Sequence, residues 1–236
     1  FYSAAPGAAA AFEEQGWETE LVPGISSMSW FAARLGKNWQ NMAVLSCHGR
    51  DVDPAGWVRS HGESFLLLGG KIGVRELCAA AAEECRAMGY EAVILTDQLC
   101  CEAREAGSFL ASILRTHAGN GRPVAFLAGG ETVVHLTGKG LGGRNQELAL
   151  AAAPGIAGLE NAAVFSVGSD GTDGPTDAAG GYVDGDTLTA LKAAGLDVFD
   201  VLQNNDAYHA LKAVDGLIVT GPTGTNVNDV AVALLH

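Results

Sequence analysis

Basic residues are scarce in this sequence. Lys and Arg together number 14 against 27 Asp and Glu, which gives a formal net charge of −13 at pH 7. Binding to DNA, RNA or an anionic membrane surface requires a basic face, so the composition argues against nucleic acid and membranes as main partners. The net charge does not exclude small anionic ligands, because a few local cations, backbone N–H groups or a bound metal ion suffice to hold them.

Long apolar runs and paired cysteines are missing as well. No run reaches the roughly 18 residues of a membrane-spanning helix, and the start of the chain does not read as a secretory signal. The five cysteines form no CxxC pair and no zinc-type spacing, and their odd number fits a disulfide framework poorly. We therefore expect a reducing, cytoplasmic location. The sequence starts at Phe1 instead of Met, which suggests a piece of a longer protein.

The residues that are present predict a layered α/β fold. Hydrophobic residues make up 48% and charged residues 17% of the chain, which is enough apolar material for a core. Helical and strand patterns alternate, which predicts a mostly parallel or mixed sheet with helices on both sides (α/β/α). Beyond residue 73, predicted helices cover 74–88, 102–117, 144–153, 187–194 and 207–213, and predicted strands cover 90–96, 123–127, 131–137, 163–167, 217–220 and 229–235.

The most distinctive segment is the acidic turn SVGSDGTDGPTDAAGG at 166–181, which holds Asp170, Asp173 and Asp177. It follows a predicted strand, and open α/β sheets bind ligands at such strand ends. The spacing does not match a calcium loop, but Mg²⁺ needs only one or two carboxylates, for which Asp170 and Asp173 are the candidates. Asp173 or Asp177 could instead bind a substrate hydroxyl or cap the next segment, and a purely structural acidic turn also stays open.

A second glycine-rich loop, GKGLGGRNQE at 138–147, runs into a predicted helix. Backbone N–H groups at a helix start, together with Arg144, can form an anion site. We expect Arg144 to contact a carboxylate or a transferred phosphate, since guanidinium binds such oxygens in pairs. Asn145 lies beside it as a binding candidate, whereas Lys139 also fits a solvated loop. The loop lacks the Gly-Lys-Ser/Thr ending of a P-loop.

Three shorter segments supply the remaining candidates for binding substrate or phosphate. These are Gly129, Gly130, Glu131, Thr132, Asn205, Thr223 and Asn226. Each has a plainer interpretation: a hairpin turn at 129–132, a cap for the helix that begins at Ala207, and a turn around Pro222. His135 alternates with apolar residues on a predicted strand, so we expect it to be packed and not catalytic.

Four segments carry a resemblance to a kinase family. They read LAGGETVVHLTGKGLGGRNQELALA (127–151), SVGSDGTDGPTDAAGGYVDGDT (166–187), NND (204–206) and VTGPTGTNVNDV (219–230). In order and spacing, residues 79–236 resemble the class III glycerate 2-kinases with their C-terminal MOFRL domain, except that Ser169 stands where the family usually has Thr. The resemblance implies Mg²⁺-assisted transfer of the ATP γ-phosphate to the 2-hydroxyl of D-glycerate, with Arg144, Asp173 and Asp177 as catalytic residues. The family's N-terminal domain, with its catalytic lysine, has no counterpart here.

Residues 1–78 resemble a different family. PGISS at 23–27, ARLG at 33–36 and SCHGR at 46–50 are similar to the precorrin-6Y methyltransferases of cobalamin biosynthesis. That resemblance implies a partial α/β segment of an S-adenosylmethionine enzyme, without the glycine-rich start of its cofactor site.

The sequence thus supports three functional hypotheses. The first is a glycerate 2-kinase fragment that is weak or inactive without the missing domain. The second is a precorrin methyltransferase, and the third is a catalytically silent α/β module that binds a small polyol or acid. The first predicts glycerate as the small-molecule partner and leaves a homo-oligomer open.

Overall fold

A computed structural model describes residues 43–46, 54–61, 64–67 and 73–236. The chain divides into two compact units, Phe1–Gly69 and Gly70–His236. The predicted boundary between the two family-like segments, after residue 78, stays a prediction. PGISS at 23–27, ARLG at 33–36 and residues 47–50 lie outside the described residues.

The described residues of the first unit form a β–α–β element. Strand β1 (Ala43–Ser46) pairs in parallel with β2 (Ser64–Leu67), and helix α1 (Pro54–His61) lies between them in the chain. Pro54 occupies the first helical position, where its missing N–H removes no helical hydrogen bond.

The second unit contains six helices and six strands among the described residues. In chain order they are α2 (Val74–Ala87), β3 (Glu91–Leu99), α3 (Ala103–His117), β4 (Val124–Gly130), α4 (Arg144–Ile156), β5 (Ala162–Gly168), β6 (Gly180–Asp184), α5 (Thr187–Ala193), α6 (Val198–Gln203), α7 (Ala207–Ala213), β7 (Leu217–Ile218) and β8 (Asp229–Leu235). The part of the chain that is described holds no helix with the length and apolarity of a membrane span.

The six strands form one mixed sheet in the order β3-β4-β8-β5-β6-β7. Only β3 and β4 pair in parallel in this sheet, and the other four pairings are antiparallel. The final strand β8 inserts between β4 and β5, so it runs against both. The mixed alternative of the predicted α/β fold is therefore the one observed.

Alternating residues of each central strand face two different apolar layers. On β4, Val124 and Phe126 belong to the cluster with α3 and α4, whereas Ala125 and Leu127 belong to the cluster with α2. This period of two is what a strand buried on both faces requires. The expected α/β/α layering is confirmed for the second unit.

Small residues let α3 and α4 approach closely. A Cβ atom at Gly107 would collide with the carbonyl oxygen of Leu148, and one at Gly155 would collide with the side chain of Ala111. These close approaches hold α4 against α3 between Leu148 and Gly155, in the turns that follow Arg144 and Asn145.

One sequence prediction of secondary structure is wrong, and two elements were not predicted. Residues 131–137 were predicted as a strand but form an irregular segment, because their N–H groups bond to the β3–α3 corner and to a side chain. Glu131 donates to the carbonyl of Leu99, Val133 to that of Cys101, and Thr137 to Asn205 Oδ1. The strand β6 and the helix α6 were missed, since both are short.

Candidate functional site at one edge of the sheet

Several predicted site residues meet at one edge of the mixed sheet. Strands β4 and β5 end there at Gly130 and Gly168, and β8 begins there at Asp229. Asp229 is the register partner of both glycines, because β8 runs antiparallel to both neighbours. Its side chain therefore lies in the middle of the edge.

Arg144 forms a paired contact with Asp229. Its Nε donates to Oδ2 at 2.5 Å and its Nη2 donates to Oδ1 at 3.0 Å, while Nη1 lies 3.4 Å from Glu131 Oε1. The Asp229 side chain is 8% exposed and that of Arg144 is 33% exposed. The hydrogen bonds that Arg144 donates to Asp229 raise the pKa of Arg144 although burial opposes this, so the guanidinium is charged at every relevant pH.

This arrangement leaves donors free but not net positive charge. A guanidinium carries five N–H donors, and two of them bond to Asp229. The other three are available to Glu131 and to a ligand. One positive charge nevertheless faces the carboxylates of Asp229 and Glu131, so the cluster alone is an acidic environment for an anion.

Asp173 occupies the start of helix α4. Its carboxylate accepts from the backbone N–H groups of Asn145 and Gln146 at 3.1 and 2.9 Å, and from their side-chain amides at 3.2 and 3.0 Å. The residue is 2% exposed, and burial raises its pKa while these four donors oppose the rise. A Cβ at Gly143 would collide with this carboxylate.

The predicted anion site at the helix start is therefore filled by the protein's own carboxylate. Four N–H donors use the acceptor positions of both oxygens, which leaves Asp173 no lone pair directed at a metal or substrate. Its geometry is that of a positioning residue for α4, and the same holds for the buried Asn145, whose Oδ1 accepts from Ser166. These bonds favour the structural alternative for Asp173, and its catalytic and metal-binding roles stay predictions.

The acidic turn and the loop TGTN at 223–226, here called the TGTN loop, form one rim of the edge. Thr223 donates its N–H to the carbonyl of Asp170 at 3.1 Å and its hydroxyl to the carbonyl of Ser169 at 2.5 Å. Asn226 Nδ2 lies 3.5 Å from Asp170 Oδ2. The structure thus brings together Asp170, Thr223 and Asn226, which are far apart in the chain.

Asp177 lies at the exposed end of the acidic turn, where it accepts a hydrogen bond of 2.8 Å from the hydroxyl of Tyr208. Within the described part of the chain it forms no hydrogen bond or ion pair with Arg144 or Asp170. Its position is open to solvent and suits a ligand-facing carboxylate better than that of Asp173 does.

Asn205 belongs to a buried network and does not cap α7. Its Oδ1 accepts from Thr137 N at 2.7 Å and Gly138 N at 2.9 Å, and its Nδ2 donates to Glu147 Oε2 at 3.2 Å. Glu147 also pairs with Arg104 at 2.7 Å and is 3% exposed. Burial raises the pKa of Glu147, and the contacts with Asn205 and Arg104 reduce that rise. The expected helix cap is wrong because the side chain holds the loop before α4 instead.

Gly129 and Gly130 approach protein atoms, not solvent. A Cβ at Gly129 would collide with Cys78 and Val74 of α2, and one at Gly130 would collide with the backbone of Leu99. The expectation that these glycines open the backbone to a ligand is therefore not supported by their surroundings.

His135 is exposed and not packed as predicted. Its side chain is 82% exposed and its Nδ1 contacts Glu102 Oε2, while its backbone N–H donates to Oε1 of the same carboxylate. Burial raises the pKa of Glu102, but the hydrogen bonds from His135 outweigh burial and hold that pKa below its ordinary value. The packed position expected from alternation is wrong because residues 131–137 are not a strand.

The sequence did not single out Asp229, Glu147, Arg104 or Glu102. Asp229 was grouped with the TGTN loop, yet its place at the junction of a polar loop and an apolar strand was a usable signal. Arg104 and Glu147 depend on a contact between α3 and α4, and Glu102 depends on its contact with His135, none of which a local pattern shows. Within residues 43–46, 54–61, 64–67 and 73–236, no group of three or more His, Cys, Asp or Glu is arranged to hold a metal ion.

A cavity of about 720 Å³ lies at the opposite edge of the sheet, lined by residues that include Tyr90, Tyr182, Asp184 and His236. None of the predicted site residues lines it. The polar cluster around Arg144 is the stronger candidate because it unites residues of helix α4, strand β8 and the loop after β4.

Comparisons with known proteins show what this chain is similar to. Residues 124–229 match the model of the MOFRL family. A D-glycerate 2-kinase from Thermotoga maritima is 52% identical over 166 residues, which are 69% of this chain and 40% of that protein. A glycerate 2-kinase from Pyrococcus horikoshii is 47% identical over 177 residues, 73% of this chain and 39% of that protein.

A solved structure is also similar to this chain. The crystal structure of a glycerate kinase from Thermotoga maritima superposes with a TM-score of 0.68 at 45% identity, over 80% of this chain and 48% of that one. The chain therefore spans about two fifths of the length of the curated relatives that it matches. These relatives do not support the methyltransferase resemblance of residues 1–78. Residues 124–229, with Arg144, Asp173 and the rim loops among them, thus match the MOFRL family, in a chain similar to part of a glycerate kinase.

Proposed function

We propose that this chain carries part of the active-site cleft of a glycerate 2-kinase, which phosphorylates the 2-hydroxyl of D-glycerate with ATP as donor. The observation that carries the proposal is the Arg144–Asp229–Glu131 cluster at the edge where β4 and β5 end and β8 begins. The similarity to glycerate kinases over more than two thirds of the chain supports it.

Arg144 is the proposed contact for the transferred phosphate or the glycerate carboxylate. Its two bonds to Asp229 lock the guanidinium, so an incoming anion meets a fixed plane of donors. Preorganised donors of this kind stabilise developing charge without a reorganisation cost in the transition state. Asp229 and Glu131 act by orienting Arg144, and the exposed Glu131 also lies where a substrate hydroxyl could bind.

The acidic balance of the cluster means that further positive charge has to come from elsewhere. Phosphoryl transfer depends on neutralising phosphate oxygens, and Arg144 is already matched by two carboxylates. In the proposal, Mg²⁺ and a cationic side chain of the part of the protein outside this sequence supply that charge.

The residues present fit such a metal ion only in part. Asp170 is a half-buried carboxylate beside Asn226, and Mg²⁺ bound to a nucleotide often needs no more than one or two protein carboxylates. Asp173 does not fit, because its oxygens are saturated by N–H donors. Asp170, with the Thr223 and Asn226 side chains, is the proposed rim for phosphate oxygens, and Asp177 is the proposed contact for glycerate. The proposal includes a cytoplasmic location and leaves the oligomeric state to light scattering.

The first experiment is a binding measurement on the 236-residue chain. Hydrogen–deuterium exchange is measured with D-glycerate, with MgATP and with S-adenosylmethionine. We expect protection of residues 166–173 and 221–228 by MgATP or glycerate, lost in Arg144→Ala and kept in Arg115→Ala, an exposed arginine remote from the cluster. Protection by S-adenosylmethionine alone would favour the methyltransferase hypothesis, and no protection by any ligand would favour the silent module.

The second experiment tests catalysis. Residues 73–236 replace the matching segment of the Thermotoga maritima D-glycerate 2-kinase, and formation of 2-phosphoglycerate is followed by ³¹P NMR. We expect an active chimera in which Arg144→Ala lowers kcat by about 10²–10³-fold. A folded chimera whose rate does not change on Arg144→Ala would refute the role of Arg144.

A further inference from the structure

A small polar cavity lies behind the Arg144–Asp229 pair. It has a volume of about 10 Å³, and its polar lining comes from Thr132, Asn145, Ser166 and Asp229. These four residues are 5%, 1%, 1% and 6% exposed. A cavity of this volume has room for about one water molecule.

The hydroxyl of Thr132 is the unusual group in this lining. It has no hydrogen-bond partner among the described residues although it is buried. A buried hydroxyl without a partner is costly, and nearly all such groups in proteins bond to protein or to ordered water.

The other three side chains have capacity left for a shared partner. Ser166 donates its hydroxyl to Asn145 Oδ1 and still has oxygen lone pairs. Asn145 Nδ2 donates one hydrogen to Asp173 and keeps a second. The Asp229 carboxylate accepts two bonds from Arg144 and has further lone pairs. Together with Thr132 they offer two donors and two acceptors, which matches the bonding of one water molecule.

We propose that one buried water molecule occupies this cavity and links Thr132 to Asp229, so that Thr132 is a positioning residue for the Arg144 guanidinium. Thr132 bonds to the water, the water donates to the carboxylate, and the carboxylate holds the guanidinium from behind. Thr132 then acts without touching a ligand, which differs from its expected role as a substrate-binding residue. The role of Arg144 rests on the proposed function. The water site is supported independently by the cavity and by the unpartnered hydroxyl of Thr132.

The sign of a stability change tests this proposal on the whole chain. Thr132→Val keeps the shape of the side chain and removes the hydroxyl. With a bound water, the substitution leaves that water one partner short, and we expect the Tm of the second unit to fall by about 2–4 °C. Without one, the substitution removes an unpaired hydroxyl, and the Tm would be unchanged or higher, which would overturn the proposal.

NMR supplies a measurement that needs no stable variant. In the wild-type chain we expect a cross-relaxation peak between water and the Thr132 methyl group, with the sign of a long-lived bound water. We also expect the Arg144 Nε–Hε resonance to shift in Thr132→Val and to keep its position in Thr132→Ser, which retains the hydroxyl. Absence of the water peak in the wild type would refute the proposal whatever the variants do, and this outcome would leave the kinase function untouched.

Discussion

Replacing Asp173 by Asn tests whether this carboxylate positions α4 or serves as a metal ligand. The amide has the same shape as the carboxylate but offers one oxygen and one NH₂ group. The NH₂ group would face either the two donors of Asn145 or the two donors of Gln146. Two buried N–H donors would therefore lose their acceptor in any orientation of the side chain.

The expected cost follows from those bonds. A hydrogen bond to a charged acceptor contributes about 1.5–3 kcal/mol, and loss of a helix N-cap costs about 1 kcal/mol. Burial raises the pKa of Asp173. The neutral amide of Asn avoids the cost of burying a charge, and this offsets part of the loss. We expect the free energy of unfolding of the second unit to fall by about 3 kcal/mol, or the Tm by about 6–12 °C.

The assay has to report on the second unit. All four tryptophans lie at or before residue 57, so their fluorescence follows the first unit, and far-UV circular dichroism with hydrogen exchange of the α4 amides is the suitable measurement. Asp177→Asn is the matched control, because Asp177 is exposed and accepts one hydrogen bond from Tyr208. It should change stability by less than about 0.5 kcal/mol.

The outcome separates the two roles of Asp173. A variant as stable as the wild type without metal, which has lost only stabilisation by Mg²⁺ and nucleotide, would refute the positioning role. A large loss of stability in the absence of any ligand would confirm it.

Two further predictions concern pH and the rim. Burial raises the pKa of Glu147, so its proton stabilises the fold below the ordinary pKa of about 4.3, and this contribution is lost as the pH rises through the higher folded pKa. Urea unfolding should therefore show the stability of Glu147→Gln relative to wild type increasing from about pH 4 to pH 7; a constant difference would contradict the reasoning. Gly171 and Gly195 have φ of +82° and +76°, but only a Cβ at Gly171 would collide with a neighbour, the carbonyl of Gly221. Thermal melts should show a loss of about 1–2 kcal/mol for Gly195→Ala and at least twice that for Gly171→Ala, and equal losses would mean that the two rim loops are not in contact.

Periodic elements of the second unit were predictable from the sequence. Helices α2, α3 and α4 and strands β4, β5 and β8 lie close to their predicted ranges, because apolar period and glycine stops are local signals. The strand predicted for residues 131–137 is wrong because that prediction also used only local signals. Its alternation suggested a strand, whereas Asn205 and the β3–α3 corner bind its backbone, and neither is near it in the chain.

The candidate site was predictable in outline. Arg144 and the two loops that hold Asp170 and Asn226 were found from glycine-rich context, and the structure brings the loops into contact. The partner Asp229 was missed, because an ion pair between residues 85 positions apart depends on how β8 inserts into the sheet.

By itself, the sequence determined the α/β class, the polar segments at strand ends and the resemblance on which the kinase hypothesis depends. The tertiary structure alone decided which polar groups face solvent and which are used up inside. Asp170 and Asp173 lie three residues apart in the same acidic turn, yet one lies at the rim and the other is buried under α4. The physical reason is that a carboxylate's role depends on the donors around it, and those donors come from a helix about 28 residues earlier in the chain.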